Sequence, residues 1–487
     1  MKKISLKINF LYNMLYQVFI LVVPFITTPY ISRVLGVDAI GNYSYTQSLT
    51  SYFALFAALG FSMYGQREVA YAGEDIEKRS IVFFDVVIFR SLIVSFFLAV
   101  YIIFSYNYNN PNLAKMLLIQ ILTIISVYFD INWFFQGLEN FRITFIRSFF
   151  VKLIGLVCIF CFIKSPDDIY KYIAISCAIN LFGNVSLWFC LKNQLVKIDR
   201  SKIHPFCDAK KIIELFIPLV AVQVYNVLDK TMIHLITNSA AENGYYEQTT
   251  KVVSIVLALV TALGPTLLPH MASIYAKNDK NELSRITEKA FHIEMLIACP
   301  ACFGLIAISD SFVPWFFGPG YDKVSLLIKI YAFVILIIPL SNVAGNAILT
   351  PIQQQNKGTF AVVCGALTNF ILNSILIRFY ASVGAAIATI VAESVVTVIH
   401  LYFIRNYVNL NKIGRYFCKQ VFSSIVMYFG IECCTFILSN YSLNSILITL
   451  IQIIIGILIY GFITIKIFKD SIYIQMTDKL KLRLNRK

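Results

Sequence analysis

Long polar stretches are what this sequence lacks. Only 14% of its 487 residues are charged, where a soluble chain of this size carries about 25%. The longest polar segments are Lys192–Lys211 and Phe468–Lys487. No loop is long enough for a soluble domain, so nucleotide-hydrolysing and large extracytoplasmic catalytic domains are not expected. There is no GxxxxGK[ST] phosphate loop. The start, Met1-Lys2-Lys3, is not followed by a short apolar run with a small-residue cleavage site, so Asn9–Tyr30 reads as a first span and not a signal peptide. Eleven cysteines include the pairs Cys158/Cys161 and Cys299/Cys302. All four lie in apolar runs without polar surroundings, which favours packing over metal or redox chemistry.

Apolar sequence is abundant. Hydrophobic residues make up 58% of the chain, and the mean hydropathy is +0.74. Fourteen apolar stretches of roughly 16–28 residues run from Asn9–Tyr30 to Ile446–Ile467, and a bilayer crossing needs about 20. Lipid admits only segments that satisfy their own backbone hydrogen bonds. The expected fold is an all-α integral membrane protein of about fourteen transmembrane helices. The net charge of +15 follows the positive-inside rule and does not imply nucleic acid: with a cytoplasmic N-terminus, 30 of the 41 Lys and Arg fall on the inner side and 8 on the outer. Both termini are therefore expected inside.

A weak internal repeat is visible. Pro24 precedes an expected outer loop with Gly41-Asn42-Tyr43 and then Thr46 and Gln47. Pro218 precedes one with Gly244-Tyr245-Tyr246 and then Gln248 and Thr249. An even six-span offset preserves orientation, as in transporters built from parallel repeats. The expected organisation is a six-helix lobe over 1–191, a cytoplasmic linker at 192–211, a second six-helix lobe over 212–404, and two further helices with a basic tail over 405–487. Spans eleven and twelve are joined only by Ala381-Ser382-Val383, a tight outer hairpin.

Polar groups inside spans are costly, so they face partners or a water-filled cavity. Asn9, Asn13 and Gln17 share one helical face, as do Gln223, Asn226, Lys230 and His234. Asn342 and Asn346, then Gly365, Asn369 and Asn373, make shorter stripes. Interhelical hydrogen bonding is the competing reading of each stripe. Asp85, Asp130, Lys152, Glu214 and Glu294 are near enough to the inner surface to snorkel. Arg90, Asp229, Lys230, Glu393 and Glu432 lie deeper. A deep cation can receive an anion, bidentately in the case of Arg, and a buried carboxylate can carry a coupling proton. Asp229-Lys230-Thr231-Met232 lacks the glycine of the phosphorylated P-type ATPase motif and sits inside a span.

Several blocks resemble the Wzx-type polysaccharide flippases, of the superfamily that also holds the MATE multidrug exporters and the lipid II flippases. They are Pro29-Tyr30-Ile31-Ser32-Arg33-Val34-Leu35-Gly36, Tyr64-Gly65-Gln66-Arg67-Glu68-Val69-Ala70, Trp133-Phe134-Phe135-Gln136-Gly137-Leu138-Glu139-Asn140, Leu228-Asp229-Lys230, Phe317-Gly318, and Val383-Gly384-Ala385-Ala386 leading to Glu393. The polar Ser239–Asn243 departs from the pattern. The resemblance implies a two-lobe bundle in a bacterial cytoplasmic membrane that moves undecaprenyl-diphosphate-linked oligosaccharide by alternating access. It also implies a polysaccharide polymerase and a chain-length regulator as partners, and no enzyme activity. Arg90, Lys152 and Lys230 are the pyrophosphate candidates. Asn13, Gln17, Gln223, Asn226, Asn342, Asn369 and Asn373 are the sugar candidates, and Asp229 and Glu393 the ion-coupling ones. Arg33, Arg67, Glu68, Gln136 and Glu139 read as gate or structural groups. No cofactor is expected; a proton or sodium gradient or the membrane potential would supply energy. A multidrug antiporter on the same fold is the alternative, and deep cations argue against it. A membrane glycosyltransferase or polymerase would want a longer catalytic outer loop than Asp310–Asp322.

Overall fold

The computed structural model describes residues 6–192, 194–263, 271–275, 277, 279–438 and 443–470. These residues are helical, with no strand among them. Nine helical segments among them are long and apolar enough to cross a membrane, and one, Gln355–Ile404, holds two arms. The chain forms two compact units, Met1–Gly244 and Tyr245–Lys487.

In the first unit, α1 (Leu6–Ala58) is two arms meeting at Gly36, whose φ of 76° only glycine adopts freely. The expected outer loop is reduced to this kink, and Gly41-Asn42-Tyr43 is helical. Gly244-Tyr245-Tyr246 is helical too, inside α9 (Ala240–Val260). The reason is close packing. A Cβ on Gly41 would lie 1.7 Å from the Ala240 carbonyl oxygen, and one on Gly244 would lie 2.3 Å from that of Val37. Ala240 follows Val37 by the same 203 residues that separate Gly244 from Gly41, so the two crossings are reciprocal. The Asn243 amide donates to the Gly41 carbonyl at 3.3 Å, which gives the polar Ser239–Asn243 segment a structural use.

Beyond Ala58 the chain turns through Leu59 and Gly60 (φ 74°) into α2 (Phe61–Ala72), a separate helix where the sequence suggested the end of a span. Next come α3 (Ile76–Tyr106), α4 (Pro111–Tyr128) and α5 (Asn132–Gly137). The sequence suggested one span over 113–135, but the helix stops at Phe129–Ile131. The Asp130 carboxylate accepts from the Asn132 backbone N–H at 3.1 Å and from its side chain at 2.7 Å, an alternative to the helical ladder. The freed carbonyls are then met by side chains. Arg90 donates to Tyr128 O at 3.1 Å and to Asp130 O; Trp188 donates to Phe129 O at 3.0 Å; Trp133 donates to Asp130 O at 3.1 Å. Asp130 is thus a helix-breaking acceptor and does not snorkel.

On the far side of α5, α6 (Phe141–Phe162) and α7 (Ile169–Trp188) complete this polar knot. Arg147 donates to Asn132 Oδ1, and Asn184 donates to the Ser126 carbonyl at 3.1 Å. Two of the sequence blocks lock together over it. A Cβ on Gly65 would sit 2.4 Å from the Trp133 ring, and one on Gly137 would sit 2.7 Å from Gln66 O. Phe61, Phe83, Phe134, Phe135, Leu187 and Ile212 close the apolar core around them.

The segment expected as a linker is held against α3. Val196 N donates to Ser80 Oγ at 3.1 Å, His204 N donates to Asp85 at 2.7 Å, and Lys202 pairs with Glu77 at 2.6 Å. Asp85 is therefore a loop anchor. The Lys211 ammonium and then the Tyr64 hydroxyl hold the Asp208 carboxyl below the usual carboxylate range. The following helix, α8 (Ala209–Thr237), packs on α1 and α2 and so belongs to the first unit.

In the second unit, α10 (Lys280–Phe317) is packed by α11 (Asp322–Tyr331), α12 (Val334–Asn342), α14 (Leu410–Leu438) and α15 (Ser445–Phe462). A buried network ties the last two helices to α10. His292 meets Asp470 at 2.6 Å, Gln420 donates to Asp470 at 3.2 Å, and Tyr460 donates to Gln420 at 2.6 Å and to Leu296 O at 2.9 Å. Between them, α13 (Gln355–Ile404) turns back on itself at Ala381 (φ 50°), the hairpin read from the sequence. Glu294 of α10 does not snorkel. It is fully buried, and neither carboxylate oxygen has a hydrogen-bond partner among the described residues. Cys299 and Cys302 are buried as packing residues.

Two substitutions test this packing. Gly41→Ala is expected to lower stability by on the order of 3 kcal/mol, since its Cβ meets backbone that cannot turn aside; an unchanged melting temperature in detergent would refute the crossing. Arg90→Ala is expected to cost roughly 2–5 kcal/mol by stranding the Tyr128 carbonyl and removing one of the two donors to the Asp130 carbonyl. Arg90→Lys should rescue little of it, because an ammonium lacks the guanidinium fork; the fraction of monodisperse protein after heating reads both.

Candidate functional site

The densest polar ground at mid-helix in the first unit is the face of α8 that meets α1. Asp229 is buried and Lys230 half-buried. Thr231 joins the helices: its hydroxyl lies 2.9 Å from Ser48 Oγ and 3.2 Å from Tyr52 OH. One turn on, the His234 ring stacks on Tyr45 with centroids 3.8 Å apart. Behind this seam Gln120 bridges Thr46 at 2.9 Å and Thr50 at 2.5 Å, and Thr50 meets Tyr101 at 2.8 Å. The seam therefore has a fixed hydroxyl-and-amide scaffold, with one acidic and one basic side chain in adjacent positions on α8. Adjacent residues in a helix point about 100° apart, so they serve different surroundings.

The expected pyrophosphate cations have different neighbours. Arg90 is 1% exposed and committed to the α4–α5 break. Lys152 is half-buried on α6, and Lys230 lies on α8. Among the expected sugar contacts, Gln223 and Asn342 are half-buried. The side chains of Asn13, Gln17 and Asn226 lie outside the described set.

Asn369 and Asn373 are fully buried and bonded to each other at 2.9 Å. Asn369 reaches Thr389 across the hairpin at 3.4 Å, and Thr389 meets Tyr246 OH at 3.3 Å. In this arrangement they fasten helices, as interhelical amides do. Glu393 is half-buried on the returning arm.

The gate group is mixed. Arg67 and Glu68 pair with each other at 3.1 Å. Gln136 is exposed near the end of α5 and Glu139 just beyond it, and Arg33 is exposed just before the Gly36 kink. Sequence reasoning passed over Ser48, Tyr52, Thr231, Asn132, Asn184 and Gln120. Each is an uncharged polar group in or beside an apolar span, and Thr231 was noticed only within the excluded P-type motif; the signal is present in the sequence but shared with many side chains that bond only their own helix.

Comparison with known proteins places the fold and the family. The family profile described as polysaccharide biosynthesis protein matches residues 6–275, and that of lipid II flippase MurJ matches residues 158–456. A protein named as a candidate O-antigen transporter in Escherichia coli is 21% identical over 411 residues, 83% of this chain and 98% of that one. The probable low-salt glycan biosynthesis flippase of Haloferax volcanii is 28% identical over 229 residues, 46% of each chain. Among solved structures, lipid II flippase MurJ in an inward closed conformation is similar with a TM-score of 0.64 at 19% identity, covering 92% of this chain and 99% of that one. An inward-facing MATE-family multidrug transporter gives 0.58 at 10% identity, covering 81% and 98%. The chain belongs to the polysaccharide biosynthesis protein family and is a Wzx-type flippase for polysaccharide or glycan precursors, with a fold similar to those of MurJ and the MATE transporters.

Proposed function

We propose that this flippase carries undecaprenyl-diphosphate-linked oligosaccharide units from the inner to the outer leaflet of a bacterial cytoplasmic membrane, for assembly of O-antigen or capsular polysaccharide, by alternating access of two six-helix lobes. The proposal includes fourteen spans and cytoplasmic termini, with a polymerase and a chain-length regulator downstream. The observation that carries it is the α8–α1 seam, where Asp229, Lys230 and Thr231 put charge and hydroxyls at mid-helix in a chain that is otherwise apolar. A pyrophosphate and sugars cannot enter hydrocarbon bare, and a cation among hydroxyls offers the charge-assisted hydrogen bonds they need.

In this reading Lys230, with Lys152, meets the pyrophosphate, and Arg90 acts by holding the helix break. Gln223 and Asn342 contact sugar, as do Asn13, Gln17 and Asn226. Asn369 and Asn373 fasten the α13 hairpin. Asp229 and Glu393 couple an ion gradient to the cycle, and Arg33, Arg67, Glu68, Gln136 and Glu139 control the ends of the path.

In a deletion strain, Lys230→Ala is expected to reduce glycan export about tenfold or more at normal protein level, the worth of one charge-assisted contact. Complete lipid-linked units should accumulate in the inner leaflet, and Lys230→Arg should restore most of the export. Full export by Lys230→Ala would remove this residue from the path; single units accumulating outside would place the protein after translocation.

A further inference from the structure

At one end of the first unit, one helical turn beyond the Thr231 seam, Tyr45 of α1, the α3–α4 turn and the last turn of α8 border an open cavity of about 570 Å³. That lies within the range of small-molecule sites, roughly 300–1,000 Å³. Its polar lining is Tyr45, Tyr108, His234, Asn107, Asn110 and Asn238, with Ile103, Phe104 and Leu113 among the apolar residues beside them. None of the described residues that line it is Lys, Arg, Asp or Glu. This end is opposite the Lys- and Arg-rich 192–211 segment, which is bound to the other end of α3.

The hydrogen-bonding capacity is preset. Asn107 donates its amide to Ile103 O at 2.8 Å, which fixes the flip and leaves its side-chain oxygen as an acceptor. The Asn110 oxygen caps α4, accepting from Asn112 N at 3.0 Å and Leu113 N at 3.3 Å, which leaves its NH₂ as a donor. Tyr45 and Tyr108 share a hydroxyl contact of 2.8 Å, and Tyr45 is held in place by its stack on His234. The His234 Nδ1 atom is buried and has no hydrogen-bond partner among the described residues. Its burial closes it off from a ligand in the cavity, so the accessible polar groups there are the Asn and Tyr side chains.

We propose that this cavity is a binding subsite for a neutral hexose or N-acetylhexosamine residue. Fixed donors and acceptors side by side match hydroxyls, which both give and take hydrogen bonds. The half-exposed Tyr108 ring, edge-on to Phe104 at 5.6 Å, offers an apolar surface for sugar C–H groups. With no cation among the described lining residues, the lining suits a neutral ligand better than phosphate or pyrophosphate. The subsite deepens the flippase reading in one respect: it takes from that reading the identity of the glycan, whereas the sugar chemistry rests on the cavity alone. It would hold a sugar at the expected outer end of the path, one helical turn beyond the seam that meets the pyrophosphate.

The test uses the full chain in lipid nanodiscs and saturation-transfer NMR with methyl glycosides of glucose, galactose, N-acetylglucosamine and N-acetylgalactosamine. At least one should receive saturation. Tyr108→Ala and Asn238→Leu should each weaken it about five-fold, the worth of one hydrogen bond or contact, Tyr108→Phe should keep most of it, and inorganic pyrophosphate should not compete. No glycoside signal with folded wild-type protein, equal signals in both disruptive variants, or displacement by pyrophosphate would overturn the subsite. A photoreactive side chain in place of Asn238 identifies the source in cells. A sugar adduct carrying a prenyl lipid marks the transported glycan and one without it marks a soluble sugar; absence of any sugar adduct counts against the subsite. Wild-type export without glycoside binding would sink the subsite alone, whereas glycoside binding in a protein whose deletion leaves export intact would sink the flippase reading and spare the subsite.

Discussion

A helix that stops inside a bilayer frees carbonyl groups that lipid cannot solvate, and much of the first unit is organised around that requirement. The break at Phe129–Ile131 releases the carbonyls of Tyr128, Phe129 and Asp130, and Arg90, Trp188 and Trp133 arrive from α3, the end of α7 and α5 to meet them. Those three side chains fix the course of α5. Its orientation in turn lets Gly65 of α2 seat against the Trp133 ring and Gly137 against the α2 backbone. The aromatic core then closes on both helices. A break of this kind needs a cation or an N–H donor at depth whether or not substrate ever touches it.

The reciprocal crossing at Gly41 and Gly244 adds a second constraint. Two helix pairs related by one sequence offset approach so closely that neither can carry a side chain at the crossing. A repeat that looked like two short matching loops is thus a packing feature, in which each glycine accommodates the backbone facing the other. This supplies a physical reason for glycine at both positions, beyond the conformational freedom that Gly36 uses at its kink.

Charge and polarity within the spans take part in several kinds of structural arrangement. Arg90, Asp130, Asn369 and Asn373 have partners within the protein that account for their depth. Asp229, Lys230 and Thr231 lie on a seam where the threonine is the structural link and the charged pair flanks it. Glu294 is a third kind, a carboxyl enclosed with no hydrogen bond among the described residues, and it adds to the cost of the fold.

How much of this was legible in the sequence depends on whether the signal was local. Hydrophobic length, loop charge and the ordered blocks from Pro29 to Glu393 were sufficient for an all-helical membrane fold and for the family, because bilayer thickness and backbone satisfaction constrain every segment separately. The Ala381 hairpin was legible for the same reason: three residues cannot do anything else between two spans. The helix break after Tyr128, the α2 turn, the anchoring of 192–211 on α3 and the partners of each deep polar residue were not. Arg90 and Lys230 look alike in sequence, each a lone cation in an apolar run. Only the fold shows that Arg90 meets two carbonyls freed at the helix break while Lys230 lies beside a hydroxyl seam, because a hydrogen bond across 40 residues is decided by which helices meet.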